Sequence, residues 1–295
     1  MSNIEFSLVI VTRNRASTLS ESVHYALAQN YPDLDYELLV VDNGSTDDTW
    51  DVLNGLHAKT GNRVQIYKEE RAGISYARNK GIAEARGEWL LFLDDDAWAS
   101  SDLLQNYSDL IARHTDAVAW GGGAKLRYPS KIPLCWSQQF DGMLSALDLG
   151  VSAKLLQFPE IPYGLNMLIK HGVLDALGGF REQITFGGDE TDLFWRMTEA
   201  GYGIRYAPDC MVTHAVDFSR FSIAWLLSAA YRSGGYHANF DTLNGDIRVG
   251  WKMITSGIAN VLVGRRGCMP VATLMYFLRI IGYWKVKLST QSAPG

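Results

Sequence analysis

Short apolar runs alternate with amphipathic stretches along the first 120 residues. "FSLVIV" (6–11), "YELLVV" (36–41), "VQIY" (64–67), "EWLLFL" (88–93) and "AVAW" (117–120) predict strands. Several are too continuously apolar for a sheet with one wet face, which suits buried parallel strands. Between them the period lengthens to that of a helix. Thr18, with Glu21 three residues on, predicts a capping box ahead of the stripe Leu19, Val23, Ala26 and Leu27. Ser45 or Thr46 is expected to cap the next helix, with Val52, Leu53 and Leu56 inward. Gly87 is expected to close the one after as its C′ residue, and Ser101 to cap a fourth. Alternating strands and helices give right-handed crossovers, hence an α/β fold with a mostly parallel, mixed, Rossmann-like sheet flanked by helices.

Ligands of such sheets bind beyond the carboxyl ends of the strands. That rule selects Thr12, Arg13 and Asn14 after the first strand, Asp42, Asn43 and Gly44 after the second, and Asp94, Asp95 and Asp96 after the fourth. Three adjacent acids repel one another, and a cation held among them would explain their place. Neither a GxGxxG fingerprint nor a GxxxxGK[ST] loop is present. Any phosphate bound here needs another partner, and a carboxylate-held divalent cation supplies one. Singly, each group also reads as a turn or a cap; the bland readings do not explain why all of them share one sheet edge.

Composition narrows the class. The 295 residues carry a net charge of -5 and are 47% hydrophobic, enough for a large α/β domain with an appendage. Mild acidity gives no electrostatic case for nucleic acid. Cys135, Cys210 and Cys268 are scattered, without a CxxC, and read as reduced thiols of a cytoplasmic chain. The opening "MSNIEFSLVIVTRNR" reads as a strand, not a signal peptide, and no window reaches the roughly 18 apolar residues of a spanning helix.

"VIVTRNR", "VVDNGSTDDT", "GISYARNKGIAEARGEWLLFLDDD", "YGLNMLIKHGVLDALGGF" and "GGDETDLFWRMTEAGYGIRYAPDCMVTH" follow in that order. Together they resemble the inverting glycosyltransferases of family 2, with the GT-A fold, over about residues 4–216. The resemblance implies a nucleotide-sugar donor, a UDP-sugar by preference, a saccharide or lipid-linked acceptor, and Mn2+ or Mg2+ as cofactor. It implies Asp96 as the principal metal ligand, with Asp94 and His214 beside it, and Asp94 and Asp95 toward the ribose. It places Thr12, Arg13, Asn14, Asp42, Asn43, Gly73, Arg78 and Asn79 around the nucleotide sugar, with Asp42 accepting from the base. Arg78 alternatively pairs with Glu84 or Glu88 at the surface, and His214 reads equally as an ordinary strand-end histidine. Inversion needs a base to take the acceptor's proton. The motif matches Glu190 to that role with Asp189 before it, in an order swapped from the family's usual Glu-Asp; an acidic first helical turn is the plainer reading.

Asn166 matches a sugar-side or acceptor-side asparagine. Trp136 is a candidate sugar platform within 125–163, a run that matches no pattern and is expected to set acceptor selectivity. The expected organisation is a catalytic domain at 1–216, its nucleotide-sugar half about 1–124 and acceptor half about 125–216, followed by a helical region at 217–295. "RFSIAWLLSAAYRSGGYHANF" predicts a helix to Ser233. Between 251 and 288 the only charges are Lys252, Arg265, Arg266, Arg279, Lys285 and Lys287, with Trp251, Tyr276, Tyr283 and Trp284 among aliphatics. That composition suits a peripheral contact on the inner face of the cell membrane, or a homo-oligomer contact. The other function classes are a nucleotidyltransferase, whose Gly-rich basic N-terminal loop is lacking, and a non-catalytic sugar- or nucleotide-binding module, against which the intact acids argue.

Overall fold

The apolar runs form the strands β1 (Phe6–Thr12), β2 (Tyr36–Asp42), β3 (Val64–Lys68) and β4 (Trp89–Asp94). The computed structural model describes residues 4–33, 35–132, 136, 138–184, 187–245 and 269–291. β1 lies between β2 and β4, both parallel to it, and β3 pairs parallel with β2. Helices α1 (Leu19–Leu27), α2 (Thr49–Thr60) and α3 (Ile74–Glu84) make the crossovers. Register sets Thr12 beside Asp42 and Val11 beside Asp94, so the three carboxyl ends finish level.

The second half of the sheet is antiparallel. Its strands are β5 (Ala97–Ala99), β6 (Ala119–Leu126), β7 (Lys154–Leu155), β8 (Asn166–Lys170) and β9 (Ile204–His214). The order is β3-β2-β1-β4-β8-β6-β9-β5, with β7 on β9. β8 runs antiparallel to β4 and β6 antiparallel to β8. β5 pairs Ala97 with His214, bringing the end of β9 back to the residue after Asp96. Helix α4 (Leu103–Arg113) buries Leu103, Leu104, Tyr107 and Leu110. Helices α5 (His171–Leu177) and α6 (Asp189–Glu199) complete this part.

Helix starts depart from the expected caps. Thr18 stands at the N-cap of α1, but its side chain makes no capping bond. Asn14 Oδ1 accepts from Thr46 N, and α2 begins three residues later at Thr49, whose N–H donates to Asp47 Oδ1 at 3.0 Å. α3 ends at Glu84 and α4 begins at Leu103, behind Asp102 rather than Ser101. Gly87 packs instead on the backbone of Phe6 and Ser7, where a Cβ has no room.

Contacts divide the chain into residues 1–125 with 147–215, and residues 126–146 with 216–295. Residues 126–146, expected in the acceptor half, therefore join the C-terminal unit. There, helices α7 (Ile223–Asn244) and α8 (Met269–Gln291) meet at glycines. A Cβ on Gly234 would strike the Arg279 carbonyl, and one on Gly282 the Tyr231 carbonyl. This close approach explains why α7 continues through Gly234-Gly235 instead of ending at Ser233. Tyr283 faces inward, donating to Asp241 Oδ2 at 2.6 Å, rather than outward as an interfacial aromatic. Trp251, Lys252, Arg265, Arg266, Cys135 and Cys268 lie outside the described residues, among which no helix is long and apolar enough to cross a membrane.

β2 is buried along its whole length, yet it carries Glu37. The carboxylate accepts from Ser7 Oγ (2.7 Å), Gln65 Nε2 (2.7 Å), Arg86 N (2.8 Å) and Arg86 Nε (2.9 Å), tying β1, β2, β3 and the end of α3 together. Burial alone would raise its pKa; the hydrogen bonds from Arg86, Ser7 and Gln65 outweigh burial and hold it below the ordinary glutamate value. Glu37→Gln is expected to cost on the order of 1–3 kcal/mol in urea denaturation at pH 7. A depressed carboxyl stabilises the fold above its unfolded pKa and loses that contribution as pH falls through the folded one. The gap between wild type and variant should therefore close below about pH 4; a gap that stays constant would contradict this account.

Candidate active site

Arg78, on the buried face of α3, is the centre of the site. Its guanidinium pairs with Asp189 through Nη1, and its Nη2 lies 3.2 Å from Glu190 Oε1 and 4.0 Å from Asp94 Oδ1. One cation thus joins the end of β4 to the first turn of α6, almost a hundred residues away. The surface pairing with Glu84 or Glu88 is not what forms: Glu84 takes Lys80 and Glu88 takes Lys170. Asp189 is 2% exposed, whereas the Glu190 side chain keeps 24% of its surface open. Burial, less the pull of Arg78, pushes Asp189 up to about 7. Burial opposes ionisation of Glu190 too, but Arg78 and backbone hydrogen bonding overcome it and hold the carboxyl below its ordinary value. Gly187 and Gly188, both at positive φ, turn the chain into α6. Gly164 presses on the same cluster: a Cβ there would collide with Arg78 Nη2 and Glu190 Oε1.

The three acids after β4 point to three different partners. Asp94 opens toward solvent at the edge of the Arg78 cluster; desolvation by the surrounding walls, then the Asp96 charge, push it up to about 6. Asp95 is buried, accepts from Thr12 Oγ1 at 2.7 Å and pairs with Arg15 Nε at 3.2 Å. Burial raises it to about 7 against the pull of Arg15. Asp96 takes His214 Nε2 on one oxygen at 3.0 Å and Arg15 Nη2 on the other at 3.4 Å. His214 is brought there by the β5–β9 pairing. Two carboxylates and an imidazole are the oxygen-rich donors that suit Mn2+ or Mg2+. Among the described residues, no three His, Cys, Asp or Glu side chains already converge as a metal cage.

Other expected site residues build the loops. Asn14, at φ 55°, accepts from Thr46 N at 2.8 Å and donates its own N–H to Ser45 Oγ, joining the loops after β1 and β2. Asp42 is buried and holds Ser45 through Oδ1. Asn43 donates to Glu69 O and Arg71 O and accepts from Gly73 N at 2.9 Å, fixing the approach to α3. Arg13 is exposed at the loop.

Three expectations are corrected. Asn79 spends its amide on the Phe180 backbone, accepting from N and donating to O at 2.8 Å each. Asn166 is buried and fully used by Tyr107 Oη, Gly123 O and Cys210 O, so it braces the sheet rather than facing a sugar. Trp136 is buried against Phe140 and Phe221 in the C-terminal unit, its Nε1 on Asp141. Arg15 was not singled out from the sequence, although "TRNR" repeats the arginine two residues after Arg13; only the fold shows that the second one meets the acids.

Residues 7–131 match the family described as Glycosyl transferase family 2. Over 212 residues the chain is 27% identical to Glycosyltransferase AglE of Haloferax volcanii, covering 70% of this chain and 66% of that protein. It is 28% identical over 249 residues to the Succinoglycan biosynthesis protein ExoM of Rhizobium meliloti, covering 82% and 78%. A PGL/p-HBAD biosynthesis glycosyltransferase of Mycobacterium tuberculosis is 35% identical over 136 residues, which is 41% of this chain and 52% of that protein. Among solved structures, the mannosyltransferase PcManGT from Pyrobaculum calidifontis in complex with GDP-Man and Mn2+ superposes with a TM-score of 0.61 at 19% identity, covering 99% of this chain and 76% of that one. TarS of S. aureus in complex with UDP gives 0.56 at 17% identity, covering 98% and 91%. These two likenesses are of fold.

Removing Arg78 strands buried carboxylates. Arg78→Met is expected to cost about 3–5 kcal/mol at neutral pH, as loss of one partner of a buried ion cluster does. Arg13→Met, on the exposed loop, should stay within about 0.5 kcal/mol of wild type. Urea denaturation of both variants checks this; equal losses would contradict the central place given to Arg78.

Proposed function

We propose that this chain, which belongs to glycosyltransferase family 2 and has its GT-A fold, moves a sugar from a nucleotide-sugar donor, a UDP-sugar by preference, to a hydroxyl of a saccharide or lipid-linked saccharide, with inversion at the anomeric carbon. The observation that carries this reading is the convergence on Arg78 of acids from two separate motifs, Asp94 on one side and Asp189 with Glu190 on the other. The neighbours' complexes with GDP-Man and Mn2+ and with UDP support a nucleotide donor and a divalent cation. The relatives named for succinoglycan and PGL/p-HBAD biosynthesis support a place in polysaccharide biosynthesis.

Asp96, Asp94 and His214 would hold Mn2+ or Mg2+, which supplies positive charge to the departing diphosphate. Asp42, Asn43 and the 12–14 loop would border the nucleotide. Glu190 is the base: its carboxyl is held below the ordinary glutamate value, its side chain keeps 24% of its surface open, and Arg78 holds it in place. The acceptor hydroxyl gives its proton to the Glu190 carboxylate as its oxygen attacks the anomeric carbon. The bond from that carbon to the diphosphate breaks on the opposite face, its electron pair leaving with the nucleoside diphosphate. Asp189, buried behind, positions Arg78 and so Glu190.

The test is a panel of UDP- and GDP-sugars scored by nucleoside diphosphate release, with the anomeric configuration of the product read by NMR. Glu190→Gln is expected to lose about 10²–10⁴-fold in kcat while donor affinity stays nearly unchanged. A larger kcat loss in Asp189→Asn would move the base by one position. Asp96→Asn should nearly abolish transfer, and chelator should silence the wild type until Mn2+ or Mg2+ returns. Full activity in excess chelator, or retained configuration, would overturn the reading.

A further inference from the structure

Helix α8 has two apolar faces, and among the described residues only one of them is covered. Met275, Arg279, Gly282 and Tyr283 turn toward α7 and its neighbours, with Met275 and Tyr283 buried and Gly282 in backbone contact with Tyr231. On the opposite side stand Leu274, Phe277, Ile281, Trp284 and Leu288, each between 46% and 61% exposed. Their spacing of 3, 4, 3 and 4 residues lines them up along one stripe of a helix with 3.6 residues per turn, ~20 Å from end to end. Five large apolar side chains left open on one straight line are far from the scattered single exposures of an ordinary surface.

The charges of the helix indicate what would cover the stripe. Residues 269–291 contain Arg279, Lys285 and Lys287 and no Asp or Glu. At about 100° per residue, Lys285 falls on one flank of the stripe and Lys287 on the other; within the unit Lys285 Nζ stands over the Tyr231 ring at 5.8 Å and Lys287 Nζ donates to Thr242 Oγ1 at 3.1 Å, both uncharged groups. A second copy of α8 laid on this face would bring lysine against lysine with no acid on either helix to answer them. An anionic lipid surface answers them at once: the stripe enters the acyl boundary, Trp284 sits at headgroup level, and the lysines meet phosphate at both edges. The helix is not long and apolar enough to cross a membrane, which leaves it lying in the plane. We propose that the 274–288 face of α8 docks this protein on anionic lipid. The inference deepens the reading of a lipid-linked acceptor by naming the surface on which that acceptor would be met, and its failure is separable, since vesicle binding and donor hydrolysis are read independently.

The experiment is flotation of the full chain with phosphatidylcholine vesicles, with and without phosphatidylglycerol. Binding is expected only to the anionic vesicles and should weaken as salt rises. Phe277→Ser with Ile281→Ser should lower partitioning at least about tenfold, since each side chain withdraws its apolar area from the acyl boundary. Lys285→Gln with Lys287→Gln, which leaves the apolar stripe and the glycine contacts between α7 and α8 intact and gives up the Lys285–Tyr231 and Lys287–Thr242 contacts, should lower it about tenfold or more and flatten the salt dependence. Both variants should hydrolyse donor as wild type does. No flotation with anionic vesicles at low salt would overturn the proposal, as would flotation that neither variant weakens. A dimer in sedimentation velocity that Phe277→Ser with Ile281→Ser splits, without vesicle binding, would assign the stripe to a second copy and equally overturn it.

Discussion

A single buried guanidinium sets the geometry where α3, β4 and α6 meet. Arg78 sits in the interior with Asp189, Glu190 and Asp94 around it. Burying a charge is costly unless it is paired and hydrogen-bonded, so α3, the end of β4 and the start of α6 are held to one another by the need to satisfy this one group. Gly164 lets the loop before β8 close on the cluster, because nothing larger fits between Arg78 and Glu190. The surroundings hold five carboxylates against two guanidiniums and an imidazole. Burial first, and the neighbouring acids after it, raise the pKa values of Asp94, Asp95 and Asp189, and an excess of acids is a setting that a cation would complement.

The switch from parallel to antiparallel strands explains how two distant motifs reach one place. β1, β2 and β4 deliver their carboxyl ends level. β8, antiparallel to β4, begins where β4 ends, pairing Asn166 with Leu93. β9 then returns its own end to the same edge as His214. A wholly parallel sheet would have placed the later motifs behind another crossover helix. The buried amide of Asn166, shared among Tyr107, Gly123 and Cys210, pins the turn of the sheet at this point.

Strands were legible because burial on both faces imposes an unbroken apolar run, and the polar residues after them were legible because they interrupt it. The ordered motifs located Asp94, Asp96, Arg78, Asp189, Glu190 and His214, which the fold brings into two adjoining clusters. What local sequence hides is the partner of an uncharged amide: Asn43, Asn79 and Asn166 look alike on paper, and each is spent on backbone groups from another segment. Arg15 was missed for the same reason, since its acids are eighty residues away. Trp136 joined the C-terminal unit's core because residues 126–146 pack with a region that follows them by some eighty residues, a partition no composition shift announces.

On the function proposed above, Arg78 keeps Glu190 ionised and aimed for proton abstraction. The pH dependence of kcat/KM tests it most directly, in wild type and in Arg78→Gln. Arg78, Asp189 and Asp94 are the charged groups that face Glu190 across the cluster. With the guanidinium in place, the acid limb attributed to Glu190 should lie below the ordinary glutamate value; without it, desolvation and the neighbouring acids should carry the limb upward by about 1–3 pH units. An acid limb at the same pH in both proteins, with rate lost only as a uniform factor, would contradict the account.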